Sequence, residues 1–334
     1  MQYNFLICSE RSGSNLFTRL MNGHSQVCGP SPTHLCRHLW ENRSAYCALD
    51  EDENWQRLTE DGESLFRTMT GVWKSDWATD RINALTKRSL AELLRTVFQH
   101  EGQANNKSTV LIKENHAWRM LDLLWDIQHD ARFIWLVRDP RDMALSWKRS
   151  PILRRGVIRA GQIWKEDQQQ MLLLADRVFT TENLIQVHYE KLVSAPEETL
   201  TRVCDFLNLN FEPSMLTKSS RAGNTLLASR ATDWKNLAGP LLSNNFGKYR
   251  TGLTEEEICY LEQLCGDEMV QLGYSLDMDK GMNVEDLEQL ISPLELYDKP
   301  GYQNVPEEEK QIRLARAEVV GKIKKRALTL EMAT

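Results

Sequence analysis

Four short, mostly apolar runs, the second and third of them continuous, constrain this chain more than anything else in it. They are Tyr3 to Cys8, Val110-Leu111-Ile112, Phe133-Ile134-Trp135-Leu136-Val137 and Leu184-Ile185-Gln186-Val187. A strand with one wet face alternates apolar and polar residues, whereas an unbroken apolar run suits a strand buried on both faces. Sheets buried on both faces are mostly parallel and covered by helices. Residues 26–28 add a short fifth candidate strand. Helical spacings separate the runs: Leu16, Leu20 and Met21 after the first, and Met120 to Ile127 between the second and third. Strands alternating with helices predict an α/β fold with a central parallel sheet flanked by helices.

Capping signals place further helices. Ser89-Leu90-Ala91-Glu92 has the form of a capping box and opens a helix to Phe98. Ser194-Ala195-Pro196-Glu197 is expected to cap a helix through Phe206, and Thr254-Glu255-Glu256-Glu257 one running to about Leu272. Residues from about 40 to 105 read as a helical insertion. Trp55, Leu58, Leu65, Phe66, Met69, Trp73 and Trp77 lie in it, and aromatics at such spacing are core more often than pocket lining. Past Gly273-Tyr274 the character changes: 275–305 is loop-rich and 306–328 reads as a charged helix. We take 1–275 as the domain and 276–334 as a helical C-terminal appendage of it.

The chain has 334 residues and a net charge of −6, which argues against a general nucleic-acid binder. No apolar run approaches the roughly 20 residues of a membrane-spanning helix, and the first residues lack the basic start of a secretory signal. The cysteines number seven, with no CxxC. Reduced thiols in a cytoplasmic protein that does not engage membranes are the expectation.

Two segments carry chemistry. The first strand runs into Arg11-Ser12-Gly13-Ser14-Asn15 and then a helix. The first N–H groups of a helix have no intrahelical partner, and the helix dipole adds positive charge there, so such a turn suits an oxyanion. Gly13 allows close approach, and Arg11 adds a full charge. The pattern is not GxxxxGK[ST], which weakens a kinase or NTPase reading. A plain strand–helix turn with an exposed arginine fits the pentapeptide equally well. The second segment is Val137-Arg138-Asp139-Pro140-Arg141-Asp142. Asp139 can cap a helix and Pro140 suits its first position. Arg138 then stands at the carboxyl end of a buried strand, where open α/β sheets bind ligands. Ser146 lies two turns into that helix, on the side of Asp142 or Asp139. A surface arginine before an Asp-Pro helix start is the plainer alternative.

Taken in order, these segments resemble those of sulfotransferases that use 3′-phosphoadenosine-5′-phosphosulfate (PAPS). Arg11-Ser12-Gly13-Ser14 is similar to the family's 5′-phosphosulfate loop, and Leu136 to Arg141 with Ser146 to its 3′-phosphate motif. Tyr189-Glu190-Lys191-Leu192 with Pro196 and Phe206-Leu207, and Gly247-Lys248-Tyr249-Arg250 before Leu272-Gly273-Tyr274, resemble two further stretches. The resemblance covers about residues 4–275, with a variable middle. It implies a P-loop nucleoside-kinase-like fold. It assigns Arg11, Ser12, Gly13, Ser14, Asn15 and Leu16 to the 5′-phosphosulfate and Arg138 and Ser146 to the 3′-phosphate. Lys248 and Arg250 are further candidates for that phosphate. Asn15 stands where threonine is usual, and an amide can also donate to a phosphate oxygen.

The implied reaction passes a sulfuryl group from PAPS to a small-molecule hydroxyl or amine and releases 3′,5′-ADP. It asks for in-line positioning and charge stabilisation. The sequence offers no metal-binding pattern. Lys113, at a strand end, is expected by analogy to meet the bridging oxygen or the sulfuryl group, and Arg11 to help hold the leaving group. A general base with a pKa near neutrality is needed, and histidine is the usual choice. His116 follows the second apolar run, one position later than the family's cytosolic enzymes place a histidine. His34 lies two residues past Pro32, which occupies the catalytic glutamate position of the tyrosylprotein branch. Glu114 is a third candidate. Each has a plain reading as a hydrogen-bonded structural group. A metabolite kinase and a non-catalytic nucleotide-binding protein remain as rivals, and the oligomeric state is open, a homodimer included.

Overall fold

The computed structural model describes residues 1–217, 230–232, 239, 241–278, 282–296 and 305–332. The loop-rich reading of 275–305 therefore falls partly outside the described residues. Five strands form the expected all-parallel sheet: β1 (Gln2–Cys8), β2 (Val27–Cys28), β3 (Thr109–Asn115), β4 (Phe133–Val137) and β5 (Leu184–His188), in the order β2-β3-β1-β4-β5. All five were legible in the sequence, β2 only as a short candidate strand, and the α/β architecture with a parallel sheet flanked by helices is the one observed.

The unbroken runs have a direct cause. Phe5, Ile7, Val110, Ile112, Phe133, Trp135 and Val137 belong to one buried core. Leu6, Cys8, Leu111, Ile134 and Leu136, which alternate with them, belong to a second core on the other face. Each strand residue thus loses its apolar surface to one layer of helices or the other, worth about 1.5–3 kcal/mol for a large side chain.

The second core is closed by α1 (Ser14–Asn22), through Phe17, Leu20 and Met21, and by α9 (Tyr189–Ser194) and α10 (Pro196–Phe206). Over the first lie α2 (Leu35–Glu41), α3 (Asp52–Arg67), α4 (Thr79–Asn83), α5 (Leu90–Ala104), α6 (Leu121–Ile127), α7 (Pro140–Lys148) and α8 (Gly156–Arg177). After a one-turn α11 (Tyr249–Gly252) come α12 (Glu255–Gln271), α13 (Val284–Leu296) and α14 (Glu307–Glu331). Helix α14 turns back over the insertion. It packs on α3 and on the turn Arg43–Ala45, with Ile323 and Ala327 in the first core and Arg326 paired to Asp61 at 2.8 Å.

Three of the four predicted caps are present. Ser89 accepts from the Glu92 amide, Asp139 from the Arg141 amide with Pro140 behind it, and Thr254 with Glu257 forms a full capping box. The fourth differs. Ala195 is the N-cap of α10 and makes no side-chain bond, while the Ser194 hydroxyl donates to Glu190 O at 2.7 Å and closes the preceding short helix. The insertion also departs from a continuous helical reading. It is broken between α3 and α4, which brings Met69 and Thr70 to a cavity, while Trp55 and Trp77 are buried as core.

Candidate active site

Parallel pairing brings the carboxyl ends of neighbouring strands to one edge. Cys8 of β1 is in register with Asn115 of β3 and Leu136 of β4, and Val137 with His188 of β5. Both segments singled out in the sequence leave the sheet at this edge.

The loop after β1 is shaped by two left-handed residues, Arg11 at φ 64° and Gly13 at φ 87°. Gly13 is the N-cap of α1, and Gly13 O accepts the Phe17 amide at 3.1 Å. The amides of Ser14, Asn15 and Leu16 are therefore the helix's unspent donors. A Cβ on Gly13 would stand 2.3 Å from the Tyr189 ring, so glycine is required by conformation and by space. Arg138 enters from β4, its guanidinium 4.3 Å above the same ring.

The two segments touch. Arg138 Nη1 donates to Arg11 O at 2.9 Å, and Arg11 Nε donates to Ser146 Oγ at 3.1 Å, across more than 120 residues of chain in each case. Arg138 is 8% exposed, its Nε has no partner, and no carboxylate pairs with it among the described residues. Asn245 Nδ2 donates to Tyr189 Oη at 2.6 Å, and Lys113 Nζ to Asn15 Oδ1 at 3.3 Å. Burial lowers the Lys113 pKa. A cavity of about 520 Å³ opens here, lined by Arg11, Gly13, Ser14, Asn15, Leu16, Lys113, Arg138, Ser146 and, farther along, His34. A second, of about 320 Å³, shares Arg11, Arg138 and Ser146 with it and adds Arg149 and Lys248.

The sulfotransferase family model matches residues 5–213, from β1 to just past α10, a span containing both segments. The chain belongs to the sulfotransferase family. A putative protein-tyrosine sulfotransferase of Caenorhabditis briggsae is 22% identical over 169 residues, which are 46% of this chain and 58% of that protein. The nodulation protein NoeE of Sinorhizobium fredii is 25% identical over 301 residues, 81% of this chain and 65% of that one. The chain thus matches less than two thirds of the length of these relatives. A sulfotransferase domain from the curacin biosynthetic pathway aligns with 90% of this chain and 99% of its own, at 18% identity and a TM-score of 0.47.

Within this sulfotransferase the remaining candidates separate. Ser12 is buried beneath the loop, its amide directed at Ser9 O at 3.4 Å. Lys248 reaches the second cavity and donates to Asn245 Oδ1 at 2.7 Å. Arg250 lines neither cavity; it pairs with Asp277 at 2.8 Å. His116 also lines neither. Its Nδ1 lies 2.9 Å from Asp167 Oδ1, which accepts from Trp118 Nε1 as well. His34 lines the main cavity, with Nδ1 3.3 Å from Glu114 Oε2. Glu114 is 2% exposed, and its other oxygen accepts the Cys36 amide at 3.2 Å. Burial pushes the Glu114 pKa up to about 7 against the pull of Arg37, the Cys36 amide, Lys113 and Arg316. Burial, then Arg37, Lys113, Arg316 and His38, hold the His34 pKa well below the ordinary histidine range.

Sequence reasoning did not find Arg37, Arg313 or Arg316, all of which line the main cavity. Helix α2 begins at Leu35, earlier than the expected helical region, and carries Arg37. The two others come from α14, where they look like any charges on an exposed helix. Asn245 and Asn115 were missed too, and neither carries a sequence signal.

Proposed function

We propose that this sulfotransferase takes PAPS as donor and passes its sulfuryl group to a hydroxyl or amine of a small acceptor. The observation that carries the reading is the contact between the Arg11–Asn15 loop and the Arg138–Ser146 segment. It sets a buried arginine with no carboxylate partner among the described residues beside an open helix N-terminus, which supports a ligand carrying more than one anionic group. The donor set fits the group: Arg138 Nε has no partner, Arg11, Ser146 and Lys248 line the same cavities, and Gly13 leaves room where a Cβ would intrude.

In this reading the amides of Ser14, Asn15 and Leu16, with Arg11, hold the 5′ side, and Arg138 and Ser146 hold the 3′-phosphate, with Lys248 at its margin. PAPS supplies an activated sulfuryl group with 3′,5′-ADP as its leaving portion. Lys113 faces that side of the cavity and balances charge on the leaving oxygen.

His34 is the base we favour over His116, because it lines the cavity while His116 is tied to Asp167 outside it. Ionised Glu114 accepts from His34 Nδ1–H and leaves the Nε2 lone pair for the acceptor proton. Protonated Glu114 donates to Nδ1 instead and puts the hydrogen on Nε2, the wrong tautomer. The cations that depress His34 are the ones anionic substrates would offset, so substrate binding raises its basicity.

The deciding experiment is calorimetric titration with 3′,5′-ADP and with ADP. At least tenfold preference for 3′,5′-ADP, lost in Arg138→Ala, is expected. Equal affinity would return the chain to the kinase reading, and binding without any sulfation of an acceptor panel to the non-catalytic one.

A further inference from the structure

The main cavity has a far side that donor binding leaves unused. Successive contacts lead to it: Lys113 to Asn15, then Glu114 to His34, then Thr33 O to Arg316 Nη2. Three guanidinium groups line this side, Arg37 from α2 and Arg313 and Arg316 from α14. Their partners are few. Arg313 is neutralised by Glu309 at 2.7 Å. Arg316 is held by two carbonyls, those of Thr33 and Leu65, and forms no ion pair with a carboxylate among the described residues. Arg37 has no hydrogen bond or ion pair among the described residues, and its Nε is buried without a partner. His38 Nδ1 is likewise buried and unpartnered.

Positive charge here acts on His34, His38, Glu114 and Arg316. Burial, Arg37, Arg316 and Lys324 push the His38 pKa down to about 2, and burial, with Arg37 and Arg313, outweighs the pull of Glu114 and draws even the Arg316 pKa down to about 10. Besides Glu309, the carboxylate that acts on this side is Glu114, which attracts Arg37 and Arg316 but is engaged with His34 and the Cys36 amide. Two guanidinium groups facing a cavity with no direct ion pair among the described residues, sharing only the pull of Glu114, are costly for the empty protein. It becomes favourable when a ligand brings the missing negative charge, since the Arg fork matches an oxyanion's two oxygens.

We propose that the acceptor carries an oxyanion, a carboxylate or a phosphate, which Arg37 and Arg316 bind while its hydroxyl or amine is presented to His34. The inference rests on the sulfotransferase reading of the same cavity and adds the chemical class of the acceptor. It also gives α14, which lies beyond the matched family region, a place in substrate recognition. Arg313 is already paired with Glu309 of the same helix.

The test uses the full chain saturated with 3′,5′-ADP and two probe pairs: 4-hydroxybenzoate against its methyl ester, and glycerol 3-phosphate against glycerol. Binding is read by calorimetry. At least one anion should bind tenfold or more tightly than its neutral analogue, and the pair that discriminates identifies carboxylate or phosphate. Arg37→Gln should erase the preference while leaving 3′,5′-ADP affinity within twofold, and Arg316→Lys should weaken it. No preference in either pair, or a preference untouched in Arg37→Gln, overturns the proposal. So does weakened 3′,5′-ADP binding in Arg37→Gln, which would return the cluster to the donor site. Failure of wild type to bind 3′,5′-ADP at all would instead defeat the donor assignment.

Discussion

The two sides of the main cavity are built by opposite strategies. On the side of Arg11 and Arg138, each cation is anchored by short-range geometry: a left-handed loop, a helix N-terminus, a strand end and a tyrosine ring within van der Waals reach of Gly13. On the side of Arg37 and Arg316, the cations come from two helices far apart in sequence, meet over the insertion, and are only partly compensated. The first side is fixed before any ligand arrives. The second is an electrostatic demand that a ligand must meet. A site of this kind accepts one constant donor and leaves the acceptor to be chosen by variable elements.

That contrast can be broken at several points. The largest effect is expected at the junction of the two sides. His34→Gln should lower kcat by about 10²–10⁴-fold, the range for loss of a general base. Affinity for 3′,5′-ADP should stay close to wild type, as steady-state rates and calorimetry together would reveal. His116→Gln should leave kcat far less affected, and the reverse ranking would move the base to the His116–Asp167 pair.

On the donor side, Arg138→Ala should weaken 3′,5′-ADP by about 1.5–3 kcal/mol, the value of hydrogen bonds to a charged group, while ADP affinity changes little. Gly13→Ala should cost about 1–3 kcal/mol of stability, through its positive φ and the Tyr189 ring, and should be seen as a lowered denaturation midpoint. A Gly13→Ala protein of unchanged stability would mean that the loop relaxes and is less fixed than the contrast requires.

A smaller effect is expected in the pH profile. Glu114 must be ionised for His34 to present Nε2, and its pKa is raised to about 7. The rate at saturating substrate should therefore rise with pH through that region. Glu114→Gln should abolish the limb and lower the rate above it. The sign for stability is opposite to that of an ordinary paired carboxylate. A folded pKa above the unfolded value makes the protein more stable below the unfolded pKa, and that contribution is lost as pH rises through about 7.

The smallest effect concerns Arg37. Arg37 makes no hydrogen bond or ion pair among the described residues, and its repulsion from Arg316 opposes its pull on Glu114, so Arg37→Gln should leave stability within about 0.5 kcal/mol of wild type. A clear loss of melting temperature would show Arg37 to be structural and would remove the contrast.

Much of the donor side was readable in the amino-acid order because its causes are local. A residue with positive φ, a helix start and a strand end each leave a mark within five or six positions. The apolar runs at β1, β3 and β4 announced a sheet covered on both faces, and Asp139-Pro140 announced a helix that sends Arg138 to the sheet edge. The sequence left open whether Arg11 and Arg138 meet. Strand order decides that, because pairing of β1 with β4 arises from packing more than a hundred residues apart. The same holds more strongly for the far side. The sequence placed His116 slightly ahead of His34; only the tertiary structure sets His34 against a cavity with Glu114 behind it and ties His116 to Asp167. Arg37, Arg313 and Arg316 follow no short-range pattern, and they acquire a common role because α14 folds back over the insertion. Local backbone chemistry is written along the chain, while the field inside a cavity is a sum over whatever the fold brings near.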